Sequence, residues 1–315
     1  MPAVMTVTGP LDPAQLGVTY AHEHLLGSPP QWTPEAQEQD FVLLSVEAAA
    51  KELGFFKLAG GQAIVEMSPP DYNRRPEQLR ALAEQTGVHI IMTTGLHKDH
   101  FSHPFTERAT IDKLAEQFAR EVTDGVGESG VRAGVIKAAT SLNAILPGEE
   151  KVLRAAARAH HMTGAPISTH TQNGTMGLEQ IAILKEEGVN PARIALGHVD
   201  RKLEYDYHRA LLDSGVSLIY DQVSKEKYVS DRERIALLGR LIAEGYGRQL
   251  MLSGDFARVS NWTATGGGPG LTYILWRFVP WLISEGVPQA AVHAMLVENP
   301  ANFFAFKPVI SNPAK

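Results

Sequence analysis

Hydrophobic and polar positions along this chain fall into two textures that take turns. The first is a short run rich in Val, Ile, Ala and Leu, found at 16–20, 63–67, 88–93, 133–137, 166–170, 193–198, 216–221 and 249–255. Runs of that length, bounded by polar or Gly-containing segments, read as buried strands. The second texture spaces apolar residues three or four apart. It predicts helices over 41–58 (through Leu43, Leu44, Val46, Leu53, Phe56 and Leu58), 75–85, 110–123, 150–161, a stretch reaching Leu184, 205–212, a stretch reaching Ile242, and 273–285. Gly60-Gly61 breaks the first of these, and a short last helix precedes Asn299-Pro300-Ala301.

The strand ends fall near residues 24, 66, 94, 137, 170, 198, 221 and 255. Their mean step of about 33 residues is the size of one strand-plus-helix unit. Eight such units, with no Gly/Pro linker or break in composition, predict an α/β fold: one (β/α)8 TIM barrel domain spanning 1–315. An open doubly wound sheet is the alternative. It would normally carry a phosphate loop after its first strand, and none stands here.

Composition narrows the function classes. Hydrophobic residues at 44% and charged ones at 20% suit one ordinary core of this size. A net charge of −6 gives no electrostatic reason to expect nucleic acid as a partner. No run of about 18 apolar residues occurs, so no membrane-spanning helix is expected. The first seven residues lack the charged and apolar regions of a secretory signal, which makes a cytoplasmic location the expectation. With no cysteine, disulfides and thiolate ligands are excluded, and any metal must be held by His, carboxylates or something less usual.

The candidate chemistry sits where the apolar runs stop. In a barrel, reactive side chains gather at the carboxyl ends of the strands. Those ends supply His22 and His24, Lys137, His170, His198 and Asp255. His22 and His24 stand at i and i+2 of a strand, so they share a face while Glu23 points away, a placement that suits a divalent cation with nitrogen ligands. Each of these residues has a structural reading too: a strand-end His bonds a carbonyl, a strand-end Asp caps the next helix. Six on one rim are hard to explain that way. Lys137 closes Ala133-Gly134-Val135-Ile136, where burial depresses an amine's pKa. Either a salt bridge to Asp255 or Glu66 answers that cost, or the neutral amine takes up carbon dioxide as a carbamate able to bridge two metals.

With these pieces in order, the chain resembles the phosphotriesterase-related branch of the amidohydrolase superfamily. The resemblance is carried by Gly17-Val18-Thr19-Tyr20-Ala21-His22-Glu23-His24, Ala133 to Lys137, Ser168-Thr169-His170-Thr171, Gly197-His198-Val199-Asp200, Ser253-Gly254-Asp255 and Asn299-Pro300-Ala301, and it covers nearly the whole chain. It implies a binuclear site with His22, His24 and Asp255 on one metal, His170 and His198 on the other, and carboxylated Lys137 with a hydroxide between. The implied activity is hydrolysis by that hydroxide, with Asp255 as ligand and proton acceptor. Zinc is the favoured ion, and manganese, cobalt or iron tolerate the same set. Asp200 is expected either to orient a ligand or to cap a helix.

Substrate choice rests on loops. Lys225, Lys227 and Arg258 follow the seventh and eighth strands, where barrels frequently bind phosphate, and they are expected either to grip a phosphate or a cluster of sugar hydroxyls or to form a solvated face. This pattern resembles the subgroup that opens sugar lactones, some phosphorylated, although Asn261 stands where a tyrosine is usual. Gly266-Gly267-Gly268-Pro269-Gly270 is read as a turn or flexible lid. His97 is expected to contact substrate, His100 and His103 to be polar loop residues rather than a separate metal site, and His160, His161, His208 and His293 to lie on helix surfaces. Three functions compete: a lactonase, favoured by the cationic loops; a phosphotriesterase or arylesterase with a more apolar pocket, kept open by Phe256, Trp262 and Trp276; and a non-catalytic ligand-binding barrel. Phe303 to Phe306 packs either on the barrel or on a partner subunit, which would make a homodimer.

Overall fold

Each apolar run is covered on two sides, by the barrel axis and by a helix, which is why it becomes a parallel strand without strict alternation. The computed structural model describes residues 1–307. A hairpin of Ala3–Thr6 (β1) and Gly9–Leu11 (β2) precedes the barrel strands Thr19–Glu23 (β3), Ala63–Glu66 (β4), His89–Gly95 (β5), Val135–Thr140 (β6), Ile167–Thr171 (β7), Ile194–Gly197 (β8), Ser217–Tyr220 (β9) and Leu250–Leu252 (β10). These eight pair in chain order, all parallel. Between them run Val46–Leu58 (α1), Pro76–Thr86 (α2), Asp99–Thr106 (α3), Ile111–Thr123 (α4), Pro147–Thr163 (α5), Gly177–Glu186 (α6), Tyr205–Asp213 (α7) and Asp231–Ala243 (α8). The predicted (β/α)8 barrel is the observed fold.

Three elements differ from the sequence reading. Helix α1 starts at Val46 rather than 41 because the Ser45 hydroxyl accepts from the Ala48 N–H at 3.1 Å. The segment with His100 and His103 is helix α3, not an irregular loop. The hairpin was not anticipated. Together with Ala305–Phe306 (β11) it makes a three-stranded antiparallel sheet, β11-β1-β2.

Two apolar layers result. Ala21, Val65, Ile91, Val135, Ile219 and Met251 fill the barrel interior with Val4, Phe303 and Phe304, while the larger layer lies between strands and helices. Phe303, Phe304 and Phe306 pack within the chain on the barrel. His208, read as a surface residue, is buried instead: Tyr220 Oη lies 2.8 Å from its Nδ1, and its Nε2 reaches the Lys202 carbonyl at 2.9 Å.

The barrel closes between β10 and β3 mainly through side chains, with one backbone bond from the Asp255 N–H to the His22 carbonyl. Ser253 Oγ accepts from the His22 N–H at 3.0 Å and donates to the His22 carbonyl at 2.6 Å. Glu23 Oε1 accepts from the Gly254 N–H at 2.7 Å, and Oε2 from the Phe256 N–H at 2.8 Å. Burial pushes the Glu23 carboxyl up to about 7. Glu23 does point away from the candidate site, and it clasps the seam that carries Asp255.

Candidate active site

The register of β3 against β4 shifts between Tyr20 and Glu23. Ala21 packs in the barrel interior, and the shift turns the next residue, His22, inward as well, with its ring 4.8 Å from that of His198. His24 follows with its ring 5.7 Å from His22. On β6, Val135 and Lys137 face inward two apart; on β7, His170 does so, its ring 4.3 Å from His198. His198 and Asp255 both adopt left-handed backbone, at φ 61° and 47°. Non-glycine residues do so only where the surroundings hold them. Here the His198 N–H donates to Asp221 at 2.9 Å, and the Asp255 N–H to the His22 carbonyl at 3.2 Å. Gly197 is required: a Cβ there would stand 2.7 Å from Asp221 Oδ2 and 3.1 Å from His22 Nδ1.

All six strand-end residues therefore converge. Asp255 Oδ1 is 3.3 Å from His24 Nε2 and 3.9 Å from His22 Nε2. Burial above all, with His198 and Lys137 close by, holds His22 well below the ordinary histidine value. Burial likewise lowers His24, His97 and His170, so these rings are neutral and keep their lone pairs. Burial alone would raise Asp255, but Lys225, His24, His198 and His22 together hold it well below the carboxylate range. Lys137 is fully buried and lowered to about 8, burial outweighing four carboxylates that favour its charge. Its Nζ donates to the Met67 carbonyl at 2.7 Å, and of the two readings for Lys137 the salt bridge to Asp255 or Glu66 is not formed among the described residues.

Supporting residues that the sequence reading passed over complete the site. Asp221 closes β9's apolar run as its counterparts close theirs, and its Oδ1 lies 2.7 Å from His198 Nδ1. Asp221, not Asp200, orients that histidine. Asp200 binds the Gln222 N–H and Arg234 Nε, both at 2.9 Å. Ser68 Oγ bridges His24 Nδ1 (2.8 Å) and Glu66 Oε1 (2.7 Å). Tyr72 lines the cavity above His24, 6.0 Å ring to ring.

The cavity, about 250 Å³, is lined by His24, Lys137, His170, His198 and Asp255 at its floor and by His97, Lys225, Lys227 and Arg258 higher up. His97 lies 4.8 Å from the His170 ring. Lys225 is committed: its Nζ donates to Asp255 Oδ2 at 2.7 Å and to the Asp255 carbonyl at 2.6 Å. Arg258 stacks on Phe41 and pairs with Asp40 at 3.1 Å. Phe256 and Trp262 are buried in the core, and Trp276 is 58% exposed, so none of the three residues that kept the esterase reading open lines the cavity. His100 pairs with Glu35 and His103 faces Asp99 and Glu107, as polar surface residues. The glycine-rich stretch is a pinned turn. Gly267 and Gly268 donate to the Trp262 and Ser260 carbonyls at 2.9 Å, and Glu52 holds the Ala264 and Leu271 N–H groups at 2.8 Å.

The donor set fits a divalent cation. Among the described residues neither ring nitrogen of His22 nor Nδ1 of His170 has a hydrogen-bond partner, although both rings are buried and Asp221 Oδ2 stands 3.3 Å from His22 Nδ1. Unpaired buried nitrogens are costly unless something else uses their lone pairs. One ligand atom each from His22, His198 and Asp255 lies within 4.8 Å of the others.

A parallel barrel whose strand ends converge on histidines, an aspartate and a buried lysine defines a barrel hydrolase. The phosphotriesterase family profile matches residues 2–304, and the chain belongs to that family. It is therefore a hydrolase acting on ester or related bonds. The phosphotriesterase homology protein of Escherichia coli is 35% identical over 91% of this chain and 98% of its own. A phospho-furanose lactonase of Mycoplasmopsis synoviae is 32% identical, covering 96% and 91%. The crystal structure of a lactonase from Listeria monocytogenes superposes with a TM-score of 0.93 at 36% identity, covering 97% of this chain and 99% of that one.

Proposed function

We propose that this chain opens a lactone, with a sugar or phosphosugar lactone as the favoured substrate. The observation that carries the reading is the convergence of four histidines, an ionised aspartate and a buried lysine at the floor of one cavity. His22, His24 and Asp255 would hold one divalent cation and His170 and His198 a second, with Lys137, carboxylated, between them. Zinc is favoured over manganese, cobalt or iron. When bound, such a pair acidifies water and polarises an ester carbonyl.

The chain's own residues do the rest. Asp255, ionised and held by Lys225 and Gln222, accepts the proton of the attacking water. It returns that proton to the ring oxygen as the C–O bond breaks, which leaves a hydroxy acid. Asp221 and Ser68 fix the rings of His198 and His24. The relatives named lactonase and phospho-furanose lactonase support the substrate class.

Turnover of a γ-lactone, an aryl ester and paraoxon, before and after chelation, tests the reading. The lactone is expected to give the highest kcat/KM, lost on chelation and restored by zinc or manganese. Full lactonase activity in metal-stripped protein, or paraoxon as the best substrate, would sink it. Lys225→Met is expected to lower kcat by about tenfold with little change in KM, because Lys225 holds Asp255 rather than substrate. Steady-state kinetics on a neutral lactone checks this, and a KM effect alone would contradict it.

A further inference from the structure

Two of the four histidines, His24 and His198, are held at Nδ1, by Ser68 Oγ at 2.8 Å and Asp221 Oδ1 at 2.7 Å, which leaves Nε2 free for a ligand. His170 is held the other way round. Its Nε2 lies 2.7 Å from Gln172 Oε1, and its Nδ1 is buried with no hydrogen-bond partner among the described residues. Gln172 stands two residues past His170, where the chain leaves β7 for a short turn. Its own carbonyl accepts from Thr175 Oγ1 at 2.8 Å and from the Thr175 N–H at 3.2 Å. Gly174, left-handed at φ 73°, keeps that turn tight, since a Cβ there would stand 2.8 Å from Lys202 Cβ.

A side-chain amide can meet a ring nitrogen with either end, its oxygen or its NH2. Lys98 decides which. Its ammonium, which can only donate, stands 5.6 Å from the Phe101 ring centroid and 3.2 Å from the same Gln172 Oε1. An amide turned over would set its NH2 against that ammonium. With the oxygen facing His170, the ring proton belongs on Nε2, and the neutral ring keeps its lone pair on Nδ1. A buried lone pair without a donor is unfavourable unless a cation uses it. We propose that Gln172, its amide set by Lys98, is the positioning residue that makes His170 offer Nδ1 rather than Nε2 to a divalent cation. The inference deepens the two-cation reading and rests on it for what Nδ1 holds; the tautomer is a property of the chain alone.

Two arms test it. The first is nitrogen NMR on isotope-labelled histidines in the metal-free, full-length protein, with the His170 signals assigned by their loss in His170→Asn. The wild type is expected to carry the proton on Nε2. Gln172→Met is expected to spread it over both nitrogens, and Gln172→Glu, which keeps an acceptor, to hold it on Nε2. Lys98→Met frees the amide to turn over and is expected to move part of the proton to Nδ1. A wild-type proton on Nδ1, or a Gln172→Met ring indistinguishable from wild type, would overturn the assignment whatever the protein hydrolyses. The second arm is zinc uptake in competition with a chromogenic chelator. The wild type is expected to bind two ions, and Gln172→Met to hold one of them about tenfold to hundredfold more weakly, with Gln172→Glu restoring it. The thermal midpoint of the metal-free protein is expected to stay unchanged. Weakening of both ions together with a fall in that midpoint would mark a merely structural role and overturn the inference. Two equally tight ions in wild type and Gln172→Met would overturn it while the two-cation reading stands, and a wild type that binds no zinc would end both.

Discussion

Asp255→Asn is expected to lower kcat/KM on a lactone by about 10³-fold or more, equivalent to about 4 kcal/mol of transition-state stabilisation. The amide keeps the shape and still accepts from Lys225, but it neither carries the charge nor takes a proton. Asp255 sits where several demands meet. Its Oδ1 faces His24 at 3.3 Å, its Oδ2 receives Gln222 at 3.0 Å and Lys225 at 2.7 Å, and its backbone is held left-handed at φ 47°. Because Asn also tolerates left-handed backbone, the fold is expected to survive. Kinetics alongside a thermal melt provide the check: a folded variant keeping more than a tenth of wild-type activity would remove Asp255 from the proton-transfer role.

Much of the fold was legible because each strand ends on a polar residue that breaks an apolar run. Lys137 and His170 stand out in sequence for that reason, and the barrel's parity then faces them inward. Asp221 carried the same signal at the end of β9, but aspartate before a loop reads equally well as a cap. Only the 2.7 Å contact with His198 separates the two. His22 was placed by simple alternation, whereas the chain uses a register shift to turn Ala21 and His22 inward in succession. The roles of Lys225 and Arg258 were not legible. Their partners, Asp255 and Asp40, lie 30 and 218 residues away, and whether a cation grips protein or ligand depends on such long-range pairing. The β1–β2 hairpin escaped because its second strand, Gly9–Leu11, is too short and too exposed to show a period.

The seam clasp is where fold and chemistry depend on a single side chain, and Glu23→Ala is expected to damage both. Glu23 is the acceptor for the Gly254 and Phe256 N–H groups, and Ser253 Oγ lies 2.8 Å from it. Stranding buried donors costs about 1–3 kcal/mol each. Against this, burial that pushes the carboxyl up to about 7 is itself unfavourable, and alanine relieves it. The net loss is expected to be about 3 kcal/mol, a fall in apparent Tm of about 5 °C for a chain of this size. Those two N–H groups flank Asp255, so the same change frees the loop that aims it. Misplacement of a reacting group by about 1 Å costs on the order of 10²-fold. Glu23→Gln, which keeps one carbonyl acceptor, is expected to fall between wild type and alanine on both scales. A thermal melt and lactone kinetics on the three proteins decide the matter. If alanine melts within a degree of wild type, β3 and β10 are held together by something other than this carboxyl.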